Sequence, residues 1–353
     1  MGTHISARPA SCRRSGTTRV RPLGLLGLVA LALLAPLLAL LGSTPAAALV
    51  PTSPAGPATG LVAGPASPSA LLRAVAPLPG DDFPRLPSRC YESDAVTVRN
   101  QPCRITRFGT GRPLLVAWGD SHVHMYLPAL QRLARAGRVN LTIVTLGSCP
   151  VAWPLPASRG FGRSSCENRN LDTLEFLRRQ DKRLGDDLAV LVGGFWSGYR
   201  DAYRRQQQAD RTGRDSGLST YQQHMSALAV EGAPPMFRRL GRTGIAIDLI
   251  GQAATVPIDA RPCPVGQEPY QCGLPRERAL EREGDNKRWI TTQLRSPLAG
   301  QPRLVDATPA YCSATRCRPR VRGANTYFDS IHLGAELTRT LTSYFRPVFD
   351  DLR

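Results

Sequence analysis

"PLLVAWGDSHVHMYLPALQRLARAG", residues 113–137, carries the reading of the fold. Its opening run is apolar, short and bounded by turn residues, which indicates a buried strand. From His124 onward the apolar positions recur at helical spacing. Asp120, Ser121 and His122 therefore fall where a strand turns into a helix. Three chemistries fit that place. Asp120 or Ser121 can cap the helix by accepting from a free backbone N–H. Ser121 can be a nucleophile, because a helix N-terminus offers unbonded N–H groups and partial positive charge suited to an oxyanion. Asp120 and His122 also match the D-x-H that opens a binuclear metal site. His122 and His124 are two apart at a helix start, so they point in different directions and do not chelate together. The segment alone leaves capping and catalysis both open.

Further strands follow at "NLTIVTLG" (140–147), "DLAVLVGGFW" (187–196), "TGIAIDLIG" (243–251) and, more weakly, "RLVDA" (303–307). Helical spacing recurs at "NLDTLEFLRRQD" (170–181) and "GAELTRTLTSYFRPVF" (334–349), the latter expected to break near Pro347. Apolar strands alternating with helices predict an α/β fold with a mostly parallel sheet of about five strands, covered on both faces. In such sheets the active crevice lies beyond the carboxyl ends of the strands. Residues 197–217, "SGYRDAYRRQQQADRTGRDSG", interrupt the rhythm and read as a polar surface excursion, either a lid or a plain mobile loop.

A second polar turn, "YFDSIHLG" (327–334), stands just before the last helix. A serine nucleophile needs a base, and the base needs a carboxylate to fix its tautomer. Asp329 and His332, three apart, can supply both from one segment.

Around this domain the chain of 353 residues carries 45 Lys and Arg against 27 Asp and Glu, a formal charge of +18. No zinc-finger spacing, aromatic RNA-binding motif or basic heptad helix accompanies the excess, so nucleic acid is not an expected partner. An anionic cell surface or polymer suits such a field. The clusters "YRRQQQADRTGR" and "CRPRVRG" are ordinary solvated faces or contacts to such a surface.

Arginines precede an apolar run from Leu23 to Gly42, followed by Ala46 and Ala48 in "STPAAALV". Residues 1–48 thus read as a cleaved signal peptide or a retained single-span membrane anchor, with the remainder exported. Residues 49–85 are rich in Pro, Ala, Gly and Ser and read as a disordered linker. Residues 86–353 read as the catalytic domain. Beyond the leader the cysteines number eight, an even count expected to form disulfides in an exported chain. Their spacing suggests the pairs Cys90–Cys103, Cys149–Cys166, Cys263–Cys272 and Cys312–Cys317.

The motifs "WGDSH" (118–122), "LGSCP" (146–150), "VLVGGFWSGY" (190–199) and "FDSIHL" (328–333) together resemble the SGNH, or GDSL-like, hydrolase superfamily. The likeness covers roughly residues 88–350. It is nearest to the extracytoplasmic SGNH domain often fused to acyltransferase-three membrane proteins that O-acetylate cell-surface polysaccharides. The resemblance implies a three-layer α/β/α sandwich, with Ser121 as nucleophile, His332 as general base and Asp329 as its orienting partner. It implies a cell-surface glycan substrate, and neither metal nor organic cofactor. The sequence departs from the wider superfamily where a G-x-N-D block normally supplies an oxyanion-binding asparagine; here the strand ends "GGFW". Backbone N–H groups of Ser121, Gly147 and Gly194 are the expected replacements. His122, Trp196 and Tyr199 are expected substrate contacts, whereas Trp118 is expected in the core. A single hydrophobic span precedes the domain, so a separate membrane protein is the expected acyl donor.

Two rival readings use the same residues. A carbohydrate-binding domain without catalysis would use the aromatic residues but has no need of Ser121, Asp329 and His332 together. A metallophosphoesterase would need later G-D-x-x-D and G-N-H motifs; "LGDDLAV" (184–190) is a poor substitute for the first and the second does not occur.

Overall fold

The computed structural model describes residues 82–91, 101–256, 271–281 and 283–352. The expected leader, most of the linker and Cys263 lie outside the described residues. Among the described residues no helix is long and apolar enough to cross a membrane.

The strand-turn-helix reading of residues 113–137 is what forms. Strands β1 (Cys103–Thr106) and β2 (Leu114–Gly119) are followed by a four-residue helix α1 (Ser121–His124) and by α2 (Leu127–Gly137). Next come β3 (Asn140–Thr145), α3 (Ser165–Leu184), β4 (Leu188–Gly193), α4 (Trp196–Thr212), α5 (Thr220–Ala227), α6 (Ala233–Leu240) and β5 (Ala246–Ile250). The chain then runs through β6 (Leu274–Pro275), α7 (Arg276–Ala279), α8 (Glu283–Trp289) and β7 (Leu304–Val305). It ends with β8 (Arg316–Cys317), β9 (Arg320–Val321), β10 (Ala324–Asn325), α9 (Ala335–Thr340) and α10 (Thr342–Asp350).

The central sheet has the order β1-β3-β2-β4-β5-β7. All its neighbours run parallel except β1, which pairs antiparallel with β3. The five expected strands are present, and β1 adds a sixth at the edge. Every residue of β2 and of β4 is buried, as central parallel strands require. Their side chains divide between two cores. Leu115, Ala117, Ala189 and Leu191 face the layer built with α2, α9 and α10. Val116, Trp118, Val190 and Val192 face the layer that includes Leu174 and Leu177 of α3 and Met236 and Phe237 of α6. The result is the three-layer α/β/α sandwich.

Two expectations need correction. Residues 197–217 are not a loop: α4 occupies most of them and ends at Gly213 in the left-handed conformation, a common glycine helix stop. Only Trp196, Tyr199 and Ala209 of α4 are buried, which leaves too thin an apolar stripe to signal a helix. The last helix breaks at Leu341, not near Pro347, which lies within α10. Leu341 N–H closes a tight turn onto Thr338 O, and burial of Leu337, Leu341, Phe345 and Phe349 keeps the apolar face continuous across the break.

Disulfides Cys90–Cys103, Cys149–Cys166 and Cys312–Cys317 are formed. The first pins the entering chain to β1. Cys272 is also disulfide-bonded; its expected partner, Cys263, lies outside the described residues.

Candidate active site

The turn from β2 into α1 depends on close approach. Gly119 pairs in register with Gly193 of β4, and a Cβ on Gly119 would overlap the Gly193 carbonyl oxygen. A Cβ on Gly193 would stand 2.9 Å from the Val123 side chain. Two glycines side by side thus let α1 sit directly on the strand ends, where the next residues emerge.

Asp120 caps α1. It is 1% exposed. One carboxylate oxygen accepts the His122 N–H at 2.8 Å; the other accepts the Phe195 N–H at 2.9 Å and the Tyr199 hydroxyl at 2.7 Å. Burial raises its pKa, against the lowering effect of those hydrogen bonds. All three partners are donors, so the carboxylate is spent on tying the turn after β4 to α1. That fits an anchor and not the D-x-H metal ligand. Among the described residues no group of three His, Cys, Asp or Glu side chains is placed to hold a metal ion.

Capping and the second reading therefore divide between neighbours, because the Ser121 hydroxyl turns elsewhere. It lies 2.7 Å from His332 Nε2, across 211 residues of sequence. His332 Nδ1 lies 2.8 Å from Asp329 Oδ2. A carboxylate only accepts, so Nδ1 carries the proton and Nε2 is left to accept from serine. Asp329 Oδ1 in turn accepts the backbone N–H groups of Ile331 at 2.8 Å and His332 at 2.7 Å. Burial alone would push the Asp329 pKa up, but the ring hydrogen bond, the His332 charge and the two backbone donors hold it below the usual carboxylate value. The D-x-x-H turn is itself held by Phe328 N–H on His332 O, and by Val256 N–H on Ser330 O at 2.7 Å. Ser121, His332 and Asp329 thus form one continuous hydrogen-bonded chain, in the geometry that makes a serine hydroxyl nucleophilic.

The other expected site residues fall less uniformly. His122 is 3% exposed and stacks on Phe195 with ring centroids 4.5 Å apart. Its ring is 5.0 Å from that of His332, and neither of its nitrogens has a hydrogen-bond partner. Burial, then the nearby His332 charge, hold its pKa well below 6.5, so the ring is neutral at pH 7. Trp196 and Tyr199, expected to meet substrate, do not face the crevice. Trp196 is 0% exposed and packs among Tyr199, Phe237 and Trp289. Tyr199 is buried with its hydroxyl committed to Asp120. Gly194, the third expected backbone donor, is buried against the Trp196 ring and the Asp120 carboxylate. Gly147 is exposed, in the turn after β3. Trp118 is in the core as expected, its Nε1–H donating to Asn170 Oδ1 at 3.2 Å.

Three aromatic residues at the site were not anticipated. Phe195 stacks on His122 where the wider superfamily would place its polar block. Tyr221 is 48% exposed, with its hydroxyl on Gly147 O at 3.4 Å. Phe83, from the stretch read as linker, lies edge-on to His332 at 5.2 Å and to His124 at 5.0 Å, and tilts against Phe328 at 5.3 Å. Its one sequence signal is an aromatic residue in an otherwise Pro- and Ala-rich run. Asp82 fixes the same stretch. Its carbonyl accepts Ala335 N–H at 2.6 Å and its carboxylate accepts Glu336 N–H at 2.9 Å, so it caps α9.

His124 completes the attachment by hydrogen-bonding the Pro84 backbone. Burial, then the His332 charge, push its pKa down to about 4. The unfolded chain, with histidine near 6.5, therefore binds this proton first, and stability falls as pH drops from about 6.5 toward about 4. Between pH 7 and pH 4.5 His124 accounts for about 2–3 kcal/mol of lost stability. Urea unfolding of the His124→Gln variant, which keeps a donor for Pro84 but cannot titrate, is expected to show a loss smaller by that amount. An identical loss in both proteins would remove His124 as a source of acid sensitivity.

No curated protein matches the sequence. Solved structures similar to it include two of bacterial origin. One is the periplasmic domain of a lipopolysaccharide acetyltransferase from Salmonella ser. Paratyphi A, at 13% identity and a TM-score of 0.44, covering 69% of this chain and 85% of that one. The other, from Agrobacterium tumefaciens str. C58, is provisionally assigned as an arylesterase, at 16% identity and a TM-score of 0.35, covering 68% of this chain and 100% of that one. A family model described as "SGNH domain (fused to AT3 domains)" matches residues 89–347. That match spans the whole sheet and both turns of the hydrogen-bonded chain, and on it the chain belongs to the SGNH domain family, as an ester-acting hydrolase or acyltransferase.

Proposed function

We propose that the protein is an extracytoplasmic, serine-dependent O-acyl transferase or esterase, acting on acetyl or similar esters of a cell-envelope glycan. The observation that carries this reading is the unbroken chain from Ser121 Oγ through His332 to Asp329. Ser121 Oγ attacks the ester carbonyl as His332 Nε2 takes its proton. Asp329 holds the Nδ1–H tautomer and stabilises the imidazolium. The tetrahedral oxyanion is met by backbone N–H groups of Ser121 and of the turn at Gly147. Collapse returns the proton from His332 to the leaving alcohol and leaves an acyl group on Ser121, which passes to water or to a sugar hydroxyl. Tyr221, exposed at the Gly147 turn, is a platform for the apolar face of a sugar ring.

The paired cysteines and the N-terminal apolar run support export. The fusion of this family to AT3 domains supports a membrane protein as the acyl donor.

The full chain assayed with p-nitrophenyl acetate, with and without short oligosaccharide acceptors, tests the reading. Turnover with acetyl transfer to the acceptor assigns a transferase, and turnover to water alone assigns an esterase. Absence of turnover with every ester and acceptor would remove the proposal.

A further inference from the structure

A cleft of about 660 Å³ is lined in part by Phe83. Phe83 and Pro84 line it together with residues of α2 and α9. Pro128, Gln131, Arg132 and Arg135 repeat at helical spacing on α2, and Ala335 and Arg339 do so on α9. With Arg85, four arginines line a single concavity, and all four are exposed. Among the described residues no salt bridge engages Arg132, Arg135 or Arg339. Asp82, whose carboxylate caps α9 through the Glu336 N–H, also acts on Arg339 by its charge. The volume lies within the roughly 300–1,000 Å³ usual for ligand sites. Phe83 borders both the cleft and the chemistry, its ring lying 5.2 Å from that of His332.

We infer that this cleft binds an anionic stretch of glycan, with carboxylate or phosphate groups held by Arg132, Arg135 and Arg339, and presents the neighbouring sugar to Ser121. Guanidinium forks match both anions in two-point hydrogen bonds, which a lysine surface would not. Concavity favours a polymer strand over the plane of lipid headgroups. The inference deepens the proposed function by naming the charge of its substrate, and it rests on that reading only for the order of events at Ser121.

The test compares the full chain with its Arg132→Gln/Arg135→Gln variant, changed at two of the exposed arginines assigned to the anion and at none of Ser121, His332 and Asp329. Binding is measured to oligogalacturonate, to a neutral galacto-oligosaccharide of equal length, and to phosphatidylglycerol vesicles, with p-nitrophenyl acetate turnover as basal activity. The expected result is selective binding of oligogalacturonate that weakens as salt rises. In the variant that binding is expected to be weaker by about tenfold or more. Equal binding of the two oligosaccharides, equal affinity in the variant, or binding of vesicles without oligogalacturonate would overturn the inference. Basal turnover that survives such a failure leaves the proposed function standing. Selective binding in a protein without turnover retires the proposed function and keeps the cleft.

Discussion

Ser121→Ala and His332→Ala are each expected to lower kcat on an activated ester by on the order of 10⁴-fold or more. The double variant is expected to be no worse than the poorer single one. The reason is cooperative: without the imidazole the hydroxyl keeps its proton, and without the hydroxyl the imidazole has nothing to activate. Asp329→Ala should cost less, because His332 keeps its place against Ser121 and Phe83 while losing its fixed tautomer. Both steady-state rates and single-turnover bursts report the effect. Losses that add in the double variant would mean the two side chains act independently.

Asp120→Ala is expected to be the most damaging substitution for stability. It strips acceptors from the His122 N–H, the Phe195 N–H and the Tyr199 hydroxyl in a buried place. Each stranded donor costs about 1–3 kcal/mol, and the three together roughly 3–5 kcal/mol because the turn relaxes. Asp120→Asn is only a partial remedy, since its amide turns an NH2 toward one set of donors. Urea unfolding measures the difference, and a variant within about 1 kcal/mol of the parent would show that the carboxylate is not the tie between α1 and the turn after β4.

Much of this arrangement is legible in the sequence because buried parallel strands are continuous apolar runs ending in small or polar residues. Gly119 before Asp120 and Ser121, and Gly193 after a five-residue apolar run, mark strand ends whose side chains emerge at the crevice. Asp329 and His332 are legible as a pair because three-residue spacing lets one turn hold both. What the sequence hides is direction and company. β1 has only two buried residues, Cys103 and Ile105, so it gives no run to recognise. Trp196 stands at a strand's carboxyl end, yet which way its ring turns depends on the cavity between α4, α6 and α8, and the ring fills that cavity. Phe83 belongs to a stretch whose composition reads as tether, and only packing against His124, Phe328 and His332 makes it part of the site. The arginine cleft joins residues from three separated segments, no one of which is basic enough to stand out.

The most direct measurement is labelling of the full chain with a fluorophosphonate, followed by intact mass and peptide mapping. Phosphonylation consumes only a serine whose proton is taken by a neighbouring base. One adduct per chain, on Ser121, lost in His332→Ala and in Ser121→Ala, is the predicted result. An unlabelled protein, an adduct on another residue, or undiminished labelling of Ser121 in His332→Ala would contradict the account.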